Sequence, residues 1–349
     1  MGRELDAIEF VMASRGPQCA LAVAGIDNPQ VFAAFGIERE TLACVDDVTG
    51  SVLWPHRING VIAPVTWDAA RVYVGASDGV VRALHRHTGE LLWQTALVAA
   101  MCAPCCAGEA LLVGSADGTL TELEARTGIV LKQASVGRSL PIPQSGLGKF
   151  WLSIHEGAIV CLDGTTLRPR WRKPFEAPLA SFAMGVPDSL AAHLANGVIH
   201  IFDEHTGAWK LRLEGCDPRV RPTMGRYVYC VVENSVRAYD TVGDVVMDFK
   251  LSNVRSLTMT DRGGLLLVID ASRHLYTVDP DDKTLRTGLA MEGEPIGRIR
   301  SEGLSLYGVR MGGTKSAAGP GAPPLAREGI WLHALTDGAQ TLRWSTRLA

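Results

Sequence analysis

The sequence predicts an all-β chain, an eight-bladed β-propeller whose four-stranded antiparallel blades surround a central channel. Three observations predict it: a short phrase that returns at a nearly constant interval, two turn signals within each interval, and a tryptophan at a set distance from the second turn.

The phrase is clearest at Asp46-Asp47-Val48-Thr49-Gly50-Ser51-Val52-Leu53-Trp54 and at His85-Arg86-His87-Thr88-Gly89-Glu90-Leu91-Leu92-Trp93. Its first position recurs at Asp46, His85, Glu124, Asp163, Asp203, Asp240, Asp279 and Thr336, with gaps of 39, 39, 39, 40, 37, 39 and 57 residues. The last gap is lengthened by a Gly/Pro-rich insertion at 312–326, and eight copies at this period fill the chain. Residues 1–349 therefore read as one propeller domain, with 1–14 left over as an extension that either adds a closing strand or caps an opening.

Each copy reads as four short strands. Arg71-Val72-Tyr73-Val74-Gly75 is a β-branched and aromatic run, and Ser77-Asp78-Gly79 after it is a tight hairpin signal. The hairpin returns at Asp117-Gly118, Asn196-Gly197 and, more weakly, Glu156-Gly157. A second hairpin closes with Thr-Gly at Gly50, Gly89, Gly128 and Gly207, where a left-handed backbone favours a residue without a Cβ. Trp54 and Trp93 stand four residues beyond their glycines, and Trp171 and Trp344 take the same place in copies with degenerate turns. These rings are expected to pack against the neighbouring blade. A single blade cannot bury both faces of its small sheet, so the units must stack until the ring closes.

Composition narrows the function. The net charge of −3 favours neither nucleic acid nor an anionic membrane, and no apolar run is long enough for a membrane helix. Acidic residues near Met1 and Glu9 within the apolar run at 8–12 argue against a secretory leader, so a cytoplasmic location is expected. The eight cysteines are then expected to be reduced. Cys102, Cys105 and Cys106 cluster without a second pair or histidine couple at metal-ligand spacing, so no metal is expected.

The phrase from Asp46 to Trp54, with its relatives ending at Trp93, Trp171 and Trp344, resembles the tryptophan-docking repeat of PQQ-like, quinoprotein-type propellers. That family includes quinoprotein alcohol dehydrogenases and the propeller lipoprotein that assists outer-membrane β-barrel assembly. The resemblance implies the fold but not one activity. Cys105-Cys106 is like the adjacent cysteines of some of the dehydrogenases, but it also reads as two small buried residues at the start of an inner strand. No acidic set is assignable to calcium, so neither quinone nor any other cofactor is expected.

Blade connections and the first hairpins should share one end of the ring, with the Thr-Gly turns at the other. Arg15, Arg138, Arg219, Arg221, Arg255, Arg298 and Arg300 fall just before inner strands, at one mouth of the channel. Converging guanidinium groups would suit a carboxylate, a phosphate or an acidic segment; the competing reading is solvated or blade-to-blade paired loop residues. The expected function is a non-catalytic platform for an acidic protein or peptide. The alternative is a small-molecule-binding or bacterial biosynthetic enzyme with an anionic substrate in the channel, for which His155 and Cys102 are the candidate reactive groups.

Overall fold

Among the described residues every sheet is made of strands consecutive in the chain, so each sheet is a local run of hairpins. The computed structural model describes residues 18–24, 30–36, 41–58, 60–97, 104–136, 141–146, 149–154, 157–185, 188–259, 264–272, 274–290, 294–295, 300–302, 305–311, 330–336 and 342–347. These form eight antiparallel sheets, seven of four strands and one of five. The fold is a β-propeller. No helix among the described residues is long and apolar enough to cross a membrane.

The inner strands are Gln18–Ala24, Val61–Trp67, Cys105–Ala107, Pro141–Gly146, Leu179–Gly185, Thr223–Met224 and Val254–Met259, with Glu294–Pro295 and Arg300–Glu302 sharing this role in the last sheet. The outer strands are Val52–Arg57, Leu91–Ala96, Val130–Ser135, Pro169–Pro174, Trp209–Leu213, Val245–Lys250, Thr284–Ala290 and Leu342–Arg347. Gln18–Ala24 touches both Val61–Trp67 and Arg300–Glu302, so the first sheet meets the second and the last. The 312–326 insertion lies outside the described residues, between the strands Ser305–Met311 and Ile330–Thr336.

The core lies in the seams between sheets. Along Arg71–Ala76, residues alternate in direction. Val72, Val74 and Ala76 pack with Phe32, Leu42 and Trp54 of the first sheet, whereas Tyr73 packs with Leu111, Val113 and Leu123 of the third. The second and third strands of a sheet are thus apolar on both faces, and each seam carries its own cluster of side chains.

A shared device closes the seams. Trp54 donates its indole N–H to the Arg86 carbonyl at 3.0 Å, Trp93 to Ala125 at 3.1 Å and Trp171 to His205 at 3.2 Å, in each case in the next sheet. The indoles lie over Gly89, Gly128 and Gly207, all left-handed, where a Cβ would stand between 2.4 and 3.0 Å from ring atoms. Where the docking position holds Lys132, its ammonium reaches the Thr165 carbonyl at 2.8 Å, and the facing left-handed residue is Leu167, with φ 54° and a buried side chain. A bulky ring needs a glycine opposite, whereas a slender chain leaves room for leucine. Lys283 adopts the left-handed backbone in another degenerate copy, so the turn itself tolerates a Cβ where the seam permits. The same contact joins the two ends of the chain. Thr346 donates to the Gly50 carbonyl as Thr95 does to that of Gly128, and Arg343 approaches Asp47 at 3.9 Å.

The recurrent acidic position caps the turn. Asp46 Oδ1 accepts the backbone N–H and the hydroxyl of Thr49, and Asp163 and Asp203 do the same for Thr166 and Thr206. His85 uses Nδ1 for this task with Thr88. Hydrogen bonding holds these three aspartates below the usual carboxylate range: Thr49 acts first on Asp46, Arg170 on Asp163 and Thr206 on Asp203.

Two predictions follow from the seams. Gly89→Ala should cost roughly 2–4 kcal/mol in urea unfolding, the sum of left-handed strain and the clash with Trp54. Gly108→Ala, at φ 65° with nothing near its Cβ, should cost only the strain, and adding Trp54→Ala to Gly89→Ala should remove the steric part of its penalty. The second concerns His193, which is fully buried in Ser189–Leu194. Burial lowers its pKa from 6.5 to about 4, against smaller opposing effects of the Cys216 backbone and Asp217. The unfolded chain therefore takes up a proton that the fold refuses. Stability from this group is complete above pH 6.5 and is lost as the pH falls towards about 4, by up to about 3 kcal/mol. Unfolding midpoints should drop between pH 7 and 5 in the native chain and drop less in His193→Leu.

Candidate functional site

The end of the ring that carries the blade connections is defined by a repeated hydrogen bond. Leu97, Val136, Phe175 and Cys216, at the exits from four outer strands, donate their N–H groups to the carbonyls of Gly79, Gly118, Gly157 and Gly197. Those glycines belong to the hairpins between second and third strands, so connectors and first hairpins share one end. The Thr-Gly turns lie at the other.

Arg219 and Arg221 stand on the connector at this end, between Trp209–Leu213 and Thr223–Met224. The segment is shaped by Asp217, whose N–H donates to the Val231 carbonyl and whose own carbonyl accepts from Val220. The Asp217 carboxylate also accepts from the Arg219 backbone N–H at 3.0 Å and from its guanidinium at 2.9 and 2.7 Å. Arg219 thereby holds Asp217 below the usual carboxylate range, while its own side chain remains 87% exposed. Much of its charge is compensated within the connector. Arg221 is half-buried. Arg255 is exposed and has no ion-pair partner among the described residues. It lies within Val254–Met259, one position inside the strand, and this strand touches Thr223–Met224. Arg219, Arg221 and Arg255 thus occupy neighbouring sheets. Arg300 begins the short strand Arg300–Glu302. Arg15, Arg138, Arg298, His155 and Cys102 lie outside the described residues.

The cysteine doublet opens the inner strand Cys105–Ala107, with Cys105 buried and Cys106 half-buried, both as free thiols. His200, on a third strand, is stacked on Phe175 with ring centroids 5.7 Å apart and packs at a tilt against Trp209 at 4.7 Å. Its Nε2 lies 3.0 Å from Glu176. Neither partner is announced by spacing, since Glu176 is 24 residues upstream on a connector.

At the opposite end, Asp188, Glu204 and His205 place their ligand atoms within 4.8 Å of one another. His205 Nε2 is 3.6 Å from Asp188 and 3.5 Å from the buried Glu204. This donor set has the chemistry to hold a divalent cation. No sequence motif marks it, because Asp188 belongs to the hairpin before the second strand and the other two to the turn after the third.

Outside these groups, the outer strands carry an exposed apolar band. Val52, Leu53, Leu91, Leu92, Val130 and Leu131 follow the Thr-Gly turns of three successive sheets, and each is 40–50% exposed.

Residues 16–178 match the family model described as outer membrane protein assembly factor BamB. Among solved structures, a computationally designed protein, Ika8, is similar at 19% identity and TM-score 0.69, over 88% of this chain and 96% of that one. BamB from Moraxella catarrhalis is similar at 16% identity and TM-score 0.56, over 82% and 98% of the two chains. No curated protein matches the sequence. The docked tryptophans, the capped turns and these likenesses agree on a β-propeller fold, and residues 16–178 are similar to the PQQ-like repeat family to which that model belongs.

Proposed function

We propose that this protein is a non-catalytic interaction platform whose connector end binds an acidic segment of a protein partner in the cytoplasm. The observation that carries the reading is Arg255, an exposed guanidinium without an ion-pair partner among the described residues, on a strand that touches the one following Arg219 and Arg221. An arginine fork accepts a carboxylate in two parallel hydrogen bonds, and Arg219 already makes this contact with Asp217. An incoming acidic side chain can bind Arg255 directly or exchange with Asp217 for Arg219.

Two further features favour a protein over a small molecule as the guest. The exposed apolar band on the outer strands has no use in a channel-binding enzyme, whereas apolar surface of this kind is common where proteins meet. The family model that matches residues 16–178 is that of a protein assembly factor, which agrees with a protein-binding role.

The test uses a fluorescent oligoglutamate peptide as probe. Binding should weaken as salt rises, because the contacts are exposed and screened. Reversing both charges, Arg219→Glu with Arg255→Glu, should lower affinity roughly tenfold or more, and an oligolysine peptide should not bind. Equal affinity for native and doubly reversed protein at low salt would remove this surface from consideration.

A further inference from the structure

Cys216 and Cys230 are free thiols on opposite sides of a seam. Cys216 leaves the outer strand Trp209–Leu213, and Cys230 lies in the middle of Val228–Val232 in the next sheet. They are 2% and 0% exposed, and Cys216 Sγ donates to Cys230 Sγ across 3.3 Å.

The approach is enforced by backbone on both sides. Cys216 donates its N–H to the Gly197 carbonyl at 2.9 Å, which ties it to its own sheet, and it forms an isolated antiparallel bridge with Val232 of the next. Cys230 is two residues before Val232 on the same strand, so both side chains share the face that meets Cys216. Ile199, Leu213, Val228 and Tyr239 pack around the two sulfurs. The remaining thiols whose burial is described, Cys44, Cys105, Cys106 and Cys161, belong to other sheets.

We infer that Cys216 and Cys230 form a disulfide-competent dithiol, oxidised by a low-molecular-weight disulfide such as oxidised glutathione. One protein thiolate attacks the oxidant and releases one small thiol. The second protein thiolate then displaces the other from the mixed disulfide, forming the Sγ–Sγ bond. Two protein thiols are oxidised, the small disulfide is reduced to two thiols, and the two protons leave with them. The sulfurs need to close from 3.3 Å to about 2.05 Å.

The cross-link would enclose the connector from Asp217 onward, with Arg219 and Arg221, and the inner strand Thr223–Met224. Oxidation would therefore pin one arginine-bearing edge of the connector end to the second strand of its sheet. The Cys216 contact, and next to it burial, pushes the Cys230 thiol far above the ordinary range, so the closed fold keeps it protonated. Exchange then proceeds through local opening of the seam, and is slow in the native protein. This inference stands independently of the acidic-partner reading.

The experiment is a cysteine map of the full chain. Reduced protein is incubated under native conditions with oxidised glutathione, denatured, alkylated and digested. The expected result is a peptide pair joined through Cys216 and Cys230, lighter by two hydrogens and dominant over every other cysteine pair. Dithiothreitol should reverse it, and the oxidised protein should melt a few degrees higher because a closed loop restricts the unfolded chain. Cys216→Ser and Cys230→Ser should each abolish both the linked pair and the gain in melting temperature; if either variant fails to fold, the native map decides alone. Recovery of the two cysteines separately alkylated or glutathione-capped would overturn the inference. So would a linked pair that forms only in urea, without preference over other pairings.

Discussion

The ring depends on how one sheet grips the next, and the grip is an indole lying flat on a backbone that has no side chain to obstruct it. Trp54 over Gly89 shows the two parts: apolar burial over the glycine, and one N–H donated to a carbonyl that the turn would otherwise leave to water. The left-handed glycine serves the turn and the seam together. Its conformation closes the hairpin, and its missing Cβ makes the flat surface on which the neighbour's ring rests. Lys132 facing Leu167 shows the same constraint solved in reverse, with the bulk moved from the docking residue to the turn. The two positions act as one unit of volume divided between adjacent sheets.

Because the seams supply the core, no sheet is stable alone. The middle strands are apolar on both faces, and each cluster is completed only by the next repeat. Closure between the last sheet and the first is therefore a requirement for burying the first sheet's outward side. Thr346 on Gly50 shows that the chain meets it with the contact used elsewhere in the ring.

The connectors are the parts that the seams constrain least. The connector from Cys216 to Pro222 holds its shape through Asp217, which organises the backbone and also neutralises Arg219. Charge at this end is thus more local than a count of arginines suggests, and Arg255 stands exposed without an ion-pair partner among the described residues. The buried sulfur pair beside this connector couples its mechanics to thiol chemistry without placing any reactive group in solvent.

The sequence by itself determined the repeat, its turns and the tryptophans that pack against the neighbouring sheet. Each hairpin is built from residues a few positions apart, and each docking contact spans one nearly constant repeat, so local spacing carries both. It also placed Arg219 and Arg221 on a connector, since strand order puts connectors at one end. Only the tertiary structure decided what meets across distances with no period. Cys216 reaches Cys230 because a connector crosses a seam, His200 finds Glu176 on another connector, and Asp188 joins Glu204 and His205 because two turns fall side by side. Such contacts are set by how sheets rotate against each other, and that rotation results from all the packed side chains of a seam together, so no short stretch of sequence encodes it.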